Sequence, residues 1–484
     1  MVSINYEELK KFEKEFNMIP VSVEIMADSI TPITLLRKIA KTDNRFYLLE
    51  SVEQGDRWGR YSFLGYNPML QITCKEGKII TKSIDKTEEV IKDPMEVIRE
   101  LLNKYSAPSI KGMPPFTGGF VGYFSYNMLG YEYPETYLKA NEFNDFDLMI
   151  YDKVIAFDHL KQKIIIIANY KSSEGKLGYD KAIHDIEKII EFIRRDSPVL
   201  EEKIKTPPKF KCNIDKEKFC EMVDKAKEYI SKKQVSQVVI SRRFEADYYN
   251  SLLNSYRVLR TTNPSPYMYY LKTGDIEIAG ASPETLVKLV DGRLQTFPIA
   301  GTRHRGQTEK EDLILEKELL QDKKELSEHN MLVDLAKEDL SKVSLHDSIE
   351  VENYLKIHRF SKVMHIVSEV VATIRKDKDA CDTISAMLPA GTLSGSPKTR
   401  AFQIIEELEP ISRGIYGGAI GYIDFSGNLD VCITIRTAVK KDNKLYIQSG
   451  CGIVEDSIPT NEYEETENKA AAIIEAVKLA GEVI

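Results

Sequence analysis

YGGAIGYIDFSGNLDVCITIRTAV, residues 416–439, sets two apolar, β-branched runs on either side of a polar FSGN tetrapeptide. Runs of that length bounded by glycine and turn formers read as antiparallel hairpin strands. The same pattern recurs far upstream in RFYLLESV (45–52), RYSFLGY (60–66), LQITCK (70–75), FDLMIYDKVIAFD (146–158) and KIIIIANY (163–170). Helical stretches alternate with these strands, so residues 1–195 read as an N-terminal α+β portion. DSPVLEEKIKTPPKFKCN, 196–213, carries three prolines and many charges without a period, and is read as a linker before a C-terminal portion, 214–484. That portion contains three helix candidates among strands. One follows Gly306, where Thr308 and Glu311 have capping-box spacing, and runs through Leu340. A second covers 357–374. The third follows Pro459, with Asn461 as N-cap and Glu464 at the third helical position, and stops at Gly481.

The 484 residues suit two or three domains or one large compound one, and 42% hydrophobic with 29% charged residues is the balance of a folded globular protein. The first residues, MVSINYEELKKFEKEF, are mixed in charge and lack the apolar core of a secretory signal. The longest aliphatic run, IIII at 164–167, is strand-sized and far short of the ~20 residues a membrane span needs. A soluble, cytoplasmic protein is expected. Six cysteines are scattered without a C-x-x-C pair, which suits a reducing compartment and speaks against structural zinc. The net charge of −8 comes from mixed-sign helices, leaving no footprint for nucleic acid or an anionic membrane. An anionic substrate would have to be held by local cations.

Carboxylates supply the first candidate site. Glu325 and Glu328 are three apart on one expected helix, and Glu462 and Glu465 repeat that spacing on another, with Lys469 four residues on. Each pair projects from one helical face. Two such faces brought together would offer oxygen ligands to a hard divalent cation, although the same spacing also describes an ordinary solvated helix surface. His365, among Val363, Met364, Ile366 and Val367, has the surroundings of a core histidine in an apolar helix. Glu284, after Pro283, reads equally as the acidic first turn of a helix. Arg436 in ITIRTA reads as a guanidinium inside an apolar strand, a place that calls for an anionic partner. GTLSGSPKT, 391–399, fails the phosphate-loop pattern because no Lys-Ser/Thr follows its second glycine directly, and no G-x-S-x-G elbow or nucleophilic cysteine motif is present.

Taken in order, LLES (48–51), RYSFLG, NPSPYM (263–268), SPE (282–284), PIAGTR (298–303), EHNMLVDLA, PAGTLSGSPK (389–398), YGGAIGY and EYEETENKA closely resemble the chorismate-utilising enzymes, and among them the anthranilate-forming group. The resemblance implies a compound α+β fold, two large antiparallel β-sheets packed as a sandwich with helices outside and the active site in a cleft beside it. It implies Mg²⁺ held in the region of Glu325, Glu328, Glu462 and Glu465. It implies a substrate held by Arg436, Lys469, Thr392, Tyr416, Gly301, Thr302 and the backbone at Gly450, Cys451 and Gly452.

The reaction implied is attack of ammonia on ring carbon 2 of chorismate as the carbon 4 hydroxyl leaves, giving 2-amino-2-deoxyisochorismate, followed by loss of pyruvate and aromatisation to anthranilate, the first committed step of tryptophan biosynthesis. Glu284 matches the family's general acid for the departing hydroxyl, and His365 the histidine of the lyase step. Sister enzymes that add water carry a lysine at the position of Gln237, whose amide is no base. Aminodeoxychorismate synthases carry a nucleophilic lysine where this chain has Ala300. A separate glutamine amidotransferase subunit is the expected source of ammonia. Tryptophan is the expected feedback inhibitor, bound by Leu49, Glu50, Ser51, Asn263, Pro266, Tyr267, Met268 and Cys432. Two positions depart from the family pattern: His304 replaces a proline, and Cys451 an alanine. The competing readings are aminodeoxychorismate synthase component I and a catalytically silent relative that binds chorismate or tryptophan.

Overall fold

In the computed structural model, which describes residues 5–51, 59–83, 85–195, 207–359 and 363–482, two antiparallel sheets of twelve strands each face one another. The isoleucine run explains the layering. On the strand Lys163–Lys171, Ile165 and Ile167 enter an apolar layer shared with Tyr123, Met149 and Ile420 of the opposite sheet. Ile164 and Ile166 turn the other way, beneath the helices Pro32–Ile39 and Gly175–Arg194. Successive side chains of a strand point to opposite faces, so a strand buried on both must be apolar throughout. Each isoleucine fully buried in this way contributes about 1.5–3 kcal/mol. The outer face of the second sheet is covered by Pro94–Lys104, Lys323–Ser341 and Ala380–Met387, whose Ile98, Val333 and Ile384 pack with Phe120, Leu148 and Val370. The fold is therefore the expected sandwich of two large antiparallel sheets with helices outside. Strands from before 196 and after 213 share both sheets: Arg45–Glu50 pairs with Tyr267–Thr273, and Gly119–Phe124 with Ala419–Asp424. Residues 196–206 of the expected linker lie outside the described residues.

The 416–439 hairpin forms as read, Ala419–Asp424 pairing with Leu429–Ile433 around FSGN. Three helix expectations need correction. The described residues of 357–374 are not helical: Glu350–Arg359 and Val363–Thr373 are paired strands, so His365 sits on a strand, and residues 360–362 lie outside the described residues. Their β-branched Val363, Ile366, Val367, Val370 and Val371 suit a pleated surface with partners on both edges. The stretch after Gly306 forms two helices, Glu309–Gln321 and Lys323–Ser341. Asp322, with φ −72° and ψ 106°, ends the first and caps the second by accepting from the Lys324 and Glu325 amides. The last helix begins at Pro459, earlier than expected, and places Asn461 inside its first turn instead of at the cap.

Candidate active site

Two of the places where the chain passes from one sheet to the other lie side by side. Pro283 and Glu284 join Ile276–Ser282 of the first sheet to Thr285–Val290 of the second, so Glu284 is in a crossover and not a helix. Residues 434–436 make the return crossing between Leu429–Ile433 and Thr437–Lys441. Arg436 therefore lies outside the strands, with φ 51°, a correction to its expected place in ITIRTA. The two crossovers are bonded together: the Ile433 amide donates to the Glu284 carbonyl at 3.0 Å, the Ala281 amide to the Arg436 carbonyl at 3.1 Å, and the Ser282 hydroxyl to the Ile433 carbonyl at 2.7 Å. A carboxyl and a guanidinium 152 positions apart thus share one rim of the sandwich.

Around them the other elements converge. The Thr392 hydroxyl, on the short helix Gly391–Ser394, donates to Glu284 Oε2 at 3.1 Å. Burial pushes the Glu284 carboxyl above the ordinary range, opposed by that hydrogen bond and by the charges of Lys469 and Arg436. Burial also lowers Arg436, against Glu284, Tyr416 and Glu465. Among the described residues no carboxylate forms an ion pair with the Arg436 guanidinium. Lys469 on the last helix donates to the Gly450 carbonyl at 3.1 Å and pairs with Glu465 at 2.6 Å. A Cβ at Gly450 would lie 2.8 Å from the Tyr416 hydroxyl, and one at Gly452 only 2.3 Å from Gln237 Nε2. The two glycines therefore let the tyrosine and the amide lie against the backbone on either side of Cys451.

His365 faces a bulge in its partner strand Ile299–His304, formed where Gly301 adopts φ 72°. Its Nδ1 lies 2.9 Å from the Gly301 carbonyl and 3.1 Å from the Thr302 hydroxyl. A carbonyl only accepts, so Nδ1 carries the proton and the basic lone pair of the neutral ring is on Nε2. Burial holds the ring below its ordinary pKa, with the nearby Arg436 charge acting the same way and the Gly301 carbonyl opposing, which keeps it neutral at neutral pH. Ala300, one residue before, is buried with Leu332 and Leu335.

Glu465 and Lys469 of the last helix lie within electrostatic reach of Glu328 on Lys323–Ser341. Partial loss of hydration raises the carboxyl of Glu328, an exposed residue, and Glu325 and Glu465 raise it further, while Lys324 and Lys469 oppose. Glu462 meets the buried Cys451 thiol, which burial pushes far up and which both Glu462 and Glu465 raise further. Among the described residues, no three His, Cys, Asp or Glu groups are gathered closely enough to hold a metal ion as they stand. His329, beside Glu328, is a residue the sequence reading passed over: it is fully buried and 2.7 Å from the Ser368 hydroxyl, and burial lowers it to about 4.

A cavity lies between the sheets, apart from this rim. It is lined by Leu49, Glu50, Ser51, Pro266, Tyr267, Met268 and Cys432, with Arg60, Tyr61, Lys288 and Asp430 completing the wall. Asn263, expected there, instead follows the last turn of Leu253–Thr262 and does not line it. Glu50 is held by Arg260 and Tyr256, each at 2.6 Å, and Asp430 by Lys288 at 3.0 Å and the Tyr267 hydroxyl at 2.8 Å. Lys288 and Asp430 are cross-strand partners, a signal legible only once the register is known. The buried Ser51 hydroxyl has no hydrogen-bond partner among the described residues.

Residues 44–475 match the family model of the chorismate binding enzymes, and the chain belongs to that family. It is 45% identical to anthranilate synthase component 1 of Acetivibrio thermocellus, with 99% of each chain covered. It is 42% identical to the protein of the same name from Aquifex aeolicus (strain VF5), again over 99% of each. Its structure is similar to that of anthranilate synthase component I from Streptococcus pneumoniae TIGR4, with a TM-score of 0.79 at 34% identity, covering 93% of this chain and 99% of that one. The menaquinone-specific isochorismate synthase of Escherichia coli shares the fold at TM-score 0.69 and 17% identity, over 98% of each chain. Among the described residues no helix is long and apolar enough to cross a membrane.

Proposed function

We propose that this chain acts as anthranilate synthase component I, converting chorismate and ammonia to anthranilate, pyruvate and water. The observation that carries the reading is Glu284, a half-buried carboxyl of raised pKa held by Thr392 and flanked by Arg436 and Lys469. Hydroxide leaves chorismate poorly unless it is protonated. A carboxyl whose pKa desolvation raises can give its proton to the carbon 4 hydroxyl as ammonia bonds to carbon 2, and the carboxylate that results faces two cations. Arg436 and Lys469 suit the two substrate carboxylates, with the Gly450 to Gly452 backbone, Tyr416, Gly301 and Thr302 completing the cleft. In the second step the proton on carbon 2 leaves, the bond from carbon 3 to the enolpyruvyl oxygen breaks, and pyruvate departs. His365 Nε2, neutral and oriented by Gly301, suits the proton transfer.

Glu325, Glu328, Glu462 and Glu465 suit a hard divalent cation such as Mg²⁺, because they are oxygen ligands and a cation would relieve the repulsion that Glu325 and Glu465 exert on Glu328. When bound, the ion would anchor and polarise a substrate carboxylate. The site chemistry also supports ammonia as the nucleophile: Gln237 offers an amide where water addition requires a base, and Ala300 cannot attack. Gln237→Lys should therefore yield some water-derived isochorismate, measured by chromatography of the products, where the unaltered chain forms only the amino product. Equal isochorismate from both would remove Gln237 from the explanation. A glutamine amidotransferase subunit is proposed as the partner that supplies ammonia.

The cavity at Ser51 is proposed as the tryptophan site: Tyr267, Met268 and Pro266 offer an apolar wall to an indole, and Asp430 and the Ser51 hydroxyl, unpartnered among the described residues, offer polar groups to an amino acid. Tryptophan inhibits only if it binds the less active arrangement better, and chorismate must then weaken tryptophan binding by the same factor. Ser51→Phe fills the cavity and should relieve inhibition while leaving uninhibited turnover within about twofold, since an effector site apart from the cleft contributes nothing to the reacting atoms. Inhibition curves settle it: unaltered inhibition, or loss of turnover with it, would sink this assignment.

A further inference from the structure

Arg413 and Glu409 form an ion pair with side chains 0% and 4% exposed. Arg413 Nε and Nη2 donate to Glu409 at 2.9 and 2.6 Å. A pair removed from water to this extent is weak as a source of stability, because desolvation consumes most of the attraction. Its remaining bonds show what it is placed to do. Arg413 Nη1 donates to the Leu393 carbonyl at 2.6 Å and Nη2 to the Val239 carbonyl at 2.8 Å, while Glu409 Oε1 accepts from the Ser241 amide and hydroxyl at 2.7 and 2.9 Å. The guanidinium also lies 5.8 Å from the centre of the Tyr416 ring. Leu393 adjoins Thr392, Val239 is two residues beyond Gln237, and Tyr416 follows Arg413 in the same loop. One planar group thus joins the three segments that carry Thr392, Gln237 and Tyr416.

We propose that Arg413 is a positioning residue that holds Thr392 against Glu284 and so tunes the carboxyl that protonates the leaving hydroxyl. The proposal rests on the reading of Glu284 as proton donor. A lysine at 413 keeps the charge opposite Glu409 but has no rigid fork to reach both carbonyls. Released from its anchor, Thr392 moves off Glu284, and the carboxyl loses a hydrogen bond that lowers its pKa.

The test compares the full chain with Arg413→Lys, Thr392→Val and the double variant, measuring kcat and KM for chorismate across pH with free ammonia held constant. Arg413→Lys should lower kcat about 100-fold with a smaller change in KM, and its alkaline limb should move to higher pH. In the Thr392→Val background the limb is already displaced, and adding Arg413→Lys should move it no further. A folded Arg413→Lys with an unmoved limb, or an equal further displacement in the double variant, overturns the proposal. If the lysine variant does not fold, Arg413→Met with Glu409→Leu leaves no buried charge unpaired and makes the same comparison; failure of both to fold makes the pair a folding determinant and overturns positioning. Absence of anthranilate from the unaltered chain would sink the functional reading itself, whereas product with an unmoved limb sinks only the role of Arg413.

Discussion

Glu284→Gln is expected to lower kcat by about 10²–10⁴-fold, the range a positioned general acid contributes, with the melting temperature nearly unchanged. The amide has almost the volume of the carboxyl and still accepts the Thr392 hydrogen bond, but it has no proton to transfer. The pH profile sharpens the test. Burial raises the Glu284 pKa, so the protonated, competent form persists above the ordinary glutamate range and activity falls as pH rises through the raised value. That limb should be absent from the residual activity of Glu284→Gln, again with free ammonia held constant. A variant with near-normal turnover, or one that keeps the limb, would assign the acid to another group.

Glu465→Ala is expected to reduce activity below about one hundredth of the unaltered chain's, because even groups that only support metal ligands cost 10–100-fold when removed. Stability should scarcely change. Glu465 is 47% exposed and its pair with Lys469 is a surface pair of about 0–1 kcal/mol. Metal titration of the unaltered chain gives the complementary result: exhaustive chelation should abolish turnover and Mg²⁺ should restore it. Activity that survives chelation would show that the four carboxylates do not serve a metal.

The parts of the fold visible in the sequence are those set by short-range pattern. FSGN between β-branched runs, and IIII on a strand buried on both faces, needed no knowledge of the rest of the chain. The 357–374 segment misled because Val363, Ile366, Val367, Val370 and Val371 fall at helical spacing, while the strand satisfies them by burial on both faces. Asp322 carried its own signal, a short polar residue followed by Lys-Lys-Glu, but an uninterrupted run of helix formers hid the break. At the site, residue identities were legible through the resemblance, whereas their geometry was not. Nothing local announces that an arginine in ITIRTA adopts φ 51° between two sheets, or that its crossover is bonded to that of Glu284. Arg413 and Glu409 escaped for the same reason: their partners lie on two distant segments, at Leu393 and at Val239 to Ser241.

The most direct measurement mixes the purified chain with chorismate, Mg²⁺ and an ammonium salt and follows anthranilate fluorescence, with glutamine replacing ammonium in a parallel sample. Anthranilate with equimolar pyruvate is expected from ammonium, and none from glutamine until the amidotransferase subunit is added. No anthranilate at any ammonium concentration, from a folded chain that still binds chorismate, would contradict the proposed function.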